Sequence, residues 1–280
     1  PKTNRVNLHS KMLVLVLLAF SVYAEDGTVV AVGSAQELKG ITAKRIIWKK
    51  DEAEMVLIPY EVVVVPREIK PAVYDEFGDL VSAKIVVPEH IDSLPFYMDA
   101  YEVTVGQFKK FLKSSGYKPS PAINWNNVYE YSPTEKHPMI YVNWHDATAY
   151  SKWAGKRLPT EDEWKFAARG GLENKEYPWG NDVSLARDYA NYAGTGGKDK
   201  WDKTTAPVGS FKPNGYGLFD MAGNVWEWCQ DWSDSDKDRR VLRGGSWDHF
   251  TYNLRVAFRS DNSPSIGSNS YGFRCVSGSN

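Results

Sequence analysis

Residues 217–232 read GLFDMAGNVWEWCQDW, residues 240–260 read RVLRGGSWDHFTYNLRVAFRS, and residues 270–276 read SYGFRCV. Four tryptophans, a carboxylate-flanked Gly223-Asn224 turn, a Gly244-Gly245-Ser246-Trp247 turn and a Gly272-Phe273-Arg274-Cys275 strand fall in that stretch. Few domains spell out so many rigid, special-geometry residues in a row. Within it, a tight turn at Gly223 lets Asp220, Glu227 and the carbonyls between them converge on one hard cation, for which Ca²⁺ prefers oxygen ligands. Equally, Glu227 and Asn224 can simply satisfy the amides of the turn. These residues alone leave both readings open.

The chain has 280 residues, with 42% hydrophobic and 25% charged residues and a net charge of −1. That is ordinary globular composition, able to form a core. The near-zero charge gives no electrostatic reason to expect nucleic acid or an anionic membrane as partner. Eleven tryptophans and sixteen tyrosines serve packing, or recognition, where rings supply contact area at low entropic cost. Cys229 and Cys275 are too few for a disulfide scaffold or thiolate cage. They form either one bridge, stabilising by about 4 kcal/mol on the chain-entropy model, or two buried thiols.

At the start, Lys2, Arg5 and Lys11 precede an apolar run, Met12 to Val22. Small residues before Glu25 fit secretory cleavage after Ala24, so residues 1–24 are expected to be a signal peptide. The run is too short for a membrane span, and no cysteine marks a lipid anchor. A secreted, periplasmic or cell-surface protein is expected. Residues 25–54 read as a linker or short hairpin around Ile46-Ile47-Trp48. From Met55 onward, Val-, Ile- and Tyr-rich runs punctuated by proline predict strands; uninterrupted Val62–Val65 suggests a strand buried on both faces, or an aggregation hazard if it is exposed. Thr104-x-x-Gln107 and Thr160-x-x-Glu163 are capping boxes predicting helices that stop at Gly116 and Gly170. Trp144, Ala147, Tyr150 and Trp153 predict another helix ending at Gly155, with His145 and Asp146 at its start serving capping and packing. Gly, Asn, Pro and Asp then dominate to about residue 215, predicting a long structured loop held by ions or internal bonds.

The motifs YVNWHDATAYSKWAGKRLPTEDEWKFAARGG, YPWGND, APVGSFKPNGYGLFDMAGNVWEWCQDW, RGGSW and GFRC occur in this order. They resemble the formylglycine-generating enzyme (sulfatase-modifying factor) family over roughly residues 95–277, with Met55–Pro59 similar to its first strand. The resemblance implies an α+β, loop-rich fold of the C-type lectin kind over residues 55–277, with residues 60–94 atypical. It also implies two structural Ca²⁺ sites. One comprises the side chains of Asp220 and Glu227 and the carbonyls of Gly223 and Val225. The other comprises Asn191, the Tyr192 carbonyl, Asp199 and the Trp201 carbonyl.

The family's oxygen-dependent enzymes bind Cu(I) through two cysteines after the Gly-Gly-Ser turn, as soft thiolates should. His249 and Leu254 stand at those positions, so no copper is expected and formylglycine generation is disfavoured. The five histidines are scattered, unlike the three-histidine iron site of a related sulfur-coupling branch. Gly-x-Ser-x-Gly, phosphate-loop and HExxH motifs are absent from the sequence.

Between the framework pieces lie Asp248–Asn253, Phe258–Ser263 and Ser265–Tyr271, rich in Asn, Ser, Asp, Tyr and Phe. That is either an ordinary polar loop or a composition of aromatic anchors and adaptable polar contacts. The pattern is similar to the variable region of diversity-generating retroelement proteins. The expected function is therefore a non-catalytic secreted or surface module binding a protein or glycan. Its expected ligand residues are Asp248, His249, Phe250, Tyr252, Phe258, Asp261, Asn262 and Tyr271. The alternative is an oxidoreductase of the same family with altered metal chemistry.

Overall fold

A computed structural model describes residues 30–59, 65–69, 85–89, 95–194, 200–201 and 203–278. The expected signal peptide, most of segment 60–94 and Asp199 lie outside the described residues.

The N-terminal part supplies β1 (Val30–Val32), β2 (Arg45–Trp48) and β3 (Ala53–Ile58). β2 and β3 form an antiparallel hairpin in which Trp48 faces Ala53. The boundary expected at residue 54 thus runs through a strand, and the segment is a hairpin belonging to the sheet. β4 (Val65–Ile69) and β5 (Ile85–Glu89) pair antiparallel in the atypical segment. β6 (Phe96–Asp99) then returns beside β3.

Helices follow where the capping residues put them. α1 (Val105–Ser115) starts at Thr104, whose hydroxyl accepts from the Gln107 amide at 3.2 Å while the Gln107 side chain accepts from the Thr104 amide at 2.9 Å. It stops at Gly116, φ 70°. α2 (Trp125–Tyr131) is short, and its Asn124 cap escaped the sequence reading. α3 (Trp144–Ala154) is capped by Asn143 with Asp146 in a reciprocal box, so Asp146 caps as expected while His145 takes no part in the box. α4 (Glu161–Arg169) has the expected Thr160–Glu163 box and stops at Gly170. Among the described residues of the long loop that follows, a 3₁₀ turn and α5 (Ala186–Tyr189) are the helical elements.

The chain closes with β7 (Trp226–Trp232), β8 (Arg240–Arg243), β9 (Ser260–Asn262), β10 (Tyr271–Gly272) and β11 (Val276–Gly278). Among the described residues the strands form three sheets: five in the order β1-β2-β3-β6-β11, four in the order β10-β7-β8-β9, and the β4-β5 pair. Phe108, Phe111, Tyr150, Trp228 and Phe273 lie buried in the largest core cluster. Trp164 of α4 packs in a second one with Met98, Val241 and Val276.

A buried ion network ties the hairpin to this core. Lys156 Nζ lies 2.9 Å from Asp51 and 2.7 Å from Asp99, and Tyr150 donates to Asp51 at 2.8 Å. Breaking such a pair from one side leaves an uncompensated buried charge, which is why it fixes the hairpin firmly. Cys229 and Cys275 are buried free thiols, in different core clusters. Burial pushes both thiols well above their ordinary range, as expected of inert packing cysteines.

Candidate functional site

The Gly217–Glu227 turn is a knot of buried polar side chains. Gly223 has φ 76°, and a Cβ there would lie 2.2 Å from the Asn191 carbonyl oxygen, so only glycine fits. The next residue, Asn224, also has positive φ, 59°, and is fully buried. Its side chain accepts from the Ala206 amide at 2.8 Å and donates to Glu102 Oε1 at 3.1 Å. Asn224 therefore links the turn to the loop after β6.

Three buried carboxylates meet near this turn: Glu102, Asp220 and Glu227. Glu227 accepts from Arg274 on both oxygens, at 2.7 and 2.8 Å, and from the Trp164 indole at 2.8 Å. Burial works against the Arg274 charge, yet the Glu227 carboxylate outweighs it and holds the guanidinium firmly protonated. Asp220 accepts from the Gly209 amide at 2.7 Å; burial nonetheless pushes its carboxyl up to about 6. Burial, then the nearby Asp220 charge, pushes Glu102 well above the usual carboxylate range. Asp220 Oδ1 and Glu102 Oε2 are buried without a hydrogen-bond partner.

Sequence reasoning missed Glu102 and Arg274. Arg274 falls in the expected Gly272–Cys275 strand, and Glu102 follows the strand-like run Phe96–Asp99. The available signal was a charged residue inside an otherwise apolar run, since lone buried charges need partners.

The residues expected at the second cation site have protein partners. The Asn191 amide donates to the Thr204 carbonyl at 3.0 Å, and the Asn191 carbonyl accepts from Asn224 at 2.9 Å. The Tyr192 carbonyl accepts from Arg187 at 2.7 Å, with that guanidinium 4.0 Å above the Tyr192 ring. The Trp201 carbonyl accepts from the Thr204 amide. Among the described residues, no group of three or more His, Cys, Asp or Glu is arranged to hold a metal.

The stretch 248–271 is organised differently. Framework atoms grip its main chain. Tyr141 donates to the Ser268 carbonyl at 2.8 Å, Trp226 to Ser270 at 2.8 Å, Trp144 to Pro264 at 3.1 Å and Ala193 to His249 at 2.8 Å. Buried Arg243 donates to the carbonyls of Val256 and Phe258, at 3.2 and 2.7 Å, and pairs with Glu161. Gly267 sits so close to Tyr141 that a Cβ would lie 2.8 Å from that carbonyl group.

Many side chains of the stretch point outward. Phe250 is 57% exposed, Tyr252 51% and Ile266 45%; the other exposed large hydrophobics among the described residues are Val183 and Leu185. Of the eight expected ligand residues, Trp226 gathers two, with ring centroids 5.4 Å from His249 and 6.0 Å from Phe258. Tyr252 packs edge-on against Phe258 at 5.7 Å. Asn262 donates to the Tyr271 hydroxyl at 2.9 Å, and Asp261 pairs with Arg239 at 2.8 Å. Asp248 accepts from Ser246 at 2.7 Å and contacts His249 Nδ1 at 2.9 Å. Against its partial burial, these two contacts hold the Asp248 carboxyl below the usual range. The trio is no catalytic triad: Ser246 is fully buried and both other groups crowd one imidazole nitrogen. Leu254, by contrast, is buried core.

The profile of the Sulfatase-modifying factor enzyme 1-like domain matches residues 49–278. The formylglycine-generating enzyme of Streptomyces coelicolor is 34% identical over 268 residues, covering 73% of this chain and 85% of that protein. The bovine (Bos taurus) formylglycine-generating enzyme is 36% identical over 244 residues. The match takes in 65% of this chain and 65% of the bovine protein's length. The Bos taurus protein named inactive C-alpha-formylglycine-generating enzyme 2 is 35% identical, over 66% of this chain and 77% of its own. Among solved structures, Treponema denticola variable protein 1 matches with a TM-score of 0.59 at 21% identity, over 84% of this chain and 99% of that one. PvdO from Pseudomonas aeruginosa matches with a TM-score of 0.57 at 26% identity, over 81% and 95%. These likenesses fit the loop-rich α+β architecture, a C-type-lectin-like fold of the formylglycine-generating enzyme type. The chain belongs to the sulfatase-modifying factor enzyme 1-like family.

Proposed function

We propose that this chain is a non-catalytic ligand-binding module on a formylglycine-generating-enzyme scaffold, with residues 248–271 as its recognition surface. One observation carries the reading: framework groups hold the main chain of that stretch while Phe250, Tyr252 and Ile266 project into solvent. Exposed aromatic and apolar anchors beside Asp, Asn and Ser are the composition of adaptable binding surfaces. A protein partner or a glycan is the expected ligand, met outside the cell or at its surface.

The same geometry weighs against the family's oxygen chemistry. Leu254 offers no ligand atom, and His249 alone cannot replace two thiolates for a soft copper ion. His249 Nδ1 is engaged by Asp248 and Ser246, leaving Nε2 as its one ligating nitrogen. The test is oxygen uptake by the copper-loaded chain on a cysteine-containing peptide. Background rates are expected; sustained turnover would establish the alternative, an oxidoreductase with altered metal chemistry. Sibling copies of the gene should differ mainly between residues 248 and 271. Substitutions spread evenly through the domain would reject a variable surface.

Calcium is proposed as a structural ion at the Asp220 turn. The orphaned Asp220 Oδ1 favours it, since a hard cation would satisfy that buried oxygen. Glu227 is a weaker ligand candidate, because Arg274 and Trp164 occupy its oxygens. At the second set, Asn191 remains the side-chain candidate among the described residues.

A further inference from the structure

The two ends of α4 serve different neighbours. At the first, Glu161 pairs with Arg243 and Arg259 and so supports the 248–271 stretch. The other end lies about 12 Å away along this nine-residue helix. It opens into a separate cavity of about 240 Å³, lined among others by Phe166, Arg169, Glu173, Asn174 and Tyr216.

The cavity is built before any ligand arrives. The turn at 214–216 closes directly on the end of α4, so closely that a Cβ on Gly215 would lie 2.2 Å from the Gly170 carbonyl oxygen. Buried Asn214 locks this approach. Its amide donates to the carbonyls of Ala167 and Ala168, at 2.8 and 3.2 Å. Its oxygen accepts from the amides of Tyr216 and Leu218, at 3.0 and 3.1 Å. Tyr216 is thereby held stacked on Phe166, with ring centroids 6.0 Å apart. Beside the stack, Arg169, Glu173 and Asn174 are exposed. Their side chains make no hydrogen bond or ion pair among the described residues. Arg169 and Glu173 carry opposite charges, line one cavity and still do not pair.

These three side chains form a mixed set. Arginine only donates, an ionised glutamate only accepts, and asparagine does both. A ligand that answers all three must donate and accept at neighbouring positions, and must turn an apolar face to the rings. Adjacent hydroxyls of a pyranose meet the first demand, and the C–H face of its ring meets the second. Sites for drug-sized ligands run to about 300–1,000 Å³, so this smaller cavity suits one small unit.

The geometry points to a second binding site, for a neutral pyranose, at the C-terminal end of α4. The Phe166–Tyr216 stack takes the sugar face, and Arg169, Glu173 and Asn174 take its hydroxyls. The site needs no metal ion and stands or falls independently of the 248–271 surface. With the two surfaces at opposite ends of α4, one chain can hold a glycan and a separate partner together.

The test titrates the methyl glycosides of glucose, galactose, mannose and N-acetylglucosamine into the full chain in EDTA, with binding read by saturation-transfer NMR. At least one should bind saturably, at about millimolar concentration, as befits so small a ligand. Arg169→Ala and Glu173→Ala should each weaken it about tenfold without moving the unfolding temperature, since neither side chain has a partner to lose. Tyr216→Leu, which keeps an apolar side chain and loses the ring, should remove it. Phe250→Ala and Tyr252→Ala should leave it unchanged. Phenylalanine, which carries both charges and a ring, should not compete. Absence of saturable binding by all four sugars would overturn the site. So would binding indifferent to Arg169→Ala and Glu173→Ala, or binding lost in Phe250→Ala or Tyr252→Ala. Competition by phenylalanine would overturn the sugar as its ligand.

Discussion

The turn at 217–227 and the stretch at 248–271 are joined by the β7–β8 hairpin and solve opposite problems. In the first, side chains make the structure: Asn224, Asp220, Glu227 and Arg274 are buried, and each contacts another buried polar group. In the second, the main chain makes the structure, and framework residues such as Arg243, Tyr141 and Trp226 do the holding. A surface built the second way can change its side chains without changing its shape. A turn built the first way cannot.

The largest expected effect breaks the first region. Arg274→Ala strands Glu227 as a buried unpaired charge, and loss of about 3–5 kcal/mol is expected in urea unfolding. A loss no greater than that of a surface substitution would show that the pair is not holding the turn.

Next comes pH. The Asp220 carboxyl rises from 3.8 to about 6 on folding, chiefly through burial. The folded chain therefore binds more protons than the unfolded one between these values. Its stabilising contribution is complete below 3.8 and is lost as pH rises through about 6. In EDTA, stability should fall across that window. On the calcium reading proposed above, excess calcium should flatten the slope. A flat profile in EDTA would show that burial does not shift this carboxyl on folding.

The next contrast lies within the second region. Gly267→Val drives a side chain into the Tyr141 main chain and should cost about 1–3 kcal/mol. Its neighbour Ile266→Ser, at an exposed side chain, should stay within about 0.5 kcal/mol. The smallest effects belong to the anchors: Phe250→Ala and Tyr252→Ala should each leave the unfolding midpoint nearly unchanged, within about 0.5 kcal/mol. A large loss at either would make it a packing residue and not a ligand contact.

Local rules were well legible in the sequence. The capping boxes at Thr104 and Thr160 form as read, because each uses only residues three apart. The stops at Gly116, Gly155 and Gly170 all adopt positive φ. Long-range chemistry was less legible. Glu102 and Asn224 are 122 positions apart, and no periodicity announces their bond. Lys156 between Asp51 and Asp99 is equally silent in one dimension, so the N-terminal hairpin read as a separable piece. In the 248–271 stretch, composition separated framework from outward residues for Phe250 and Tyr252. It did not foresee that Phe258 and Tyr271 would be half-buried, packed on Trp226 and Trp228. Those two are better suited to support the surface than to face a ligand.

The most direct test randomises Asp248, Phe250, Tyr252, Asp261, Ile266 and Asn269 together in a displayed library. A second library randomises Asp220, Gly223, Asn224 and Glu227, and the fraction surviving protease is counted in each. The first library should remain mostly folded and yield binders to unrelated targets, while the second should be almost wholly digested. Equal digestion of the two would contradict the division between a held scaffold and a free surface.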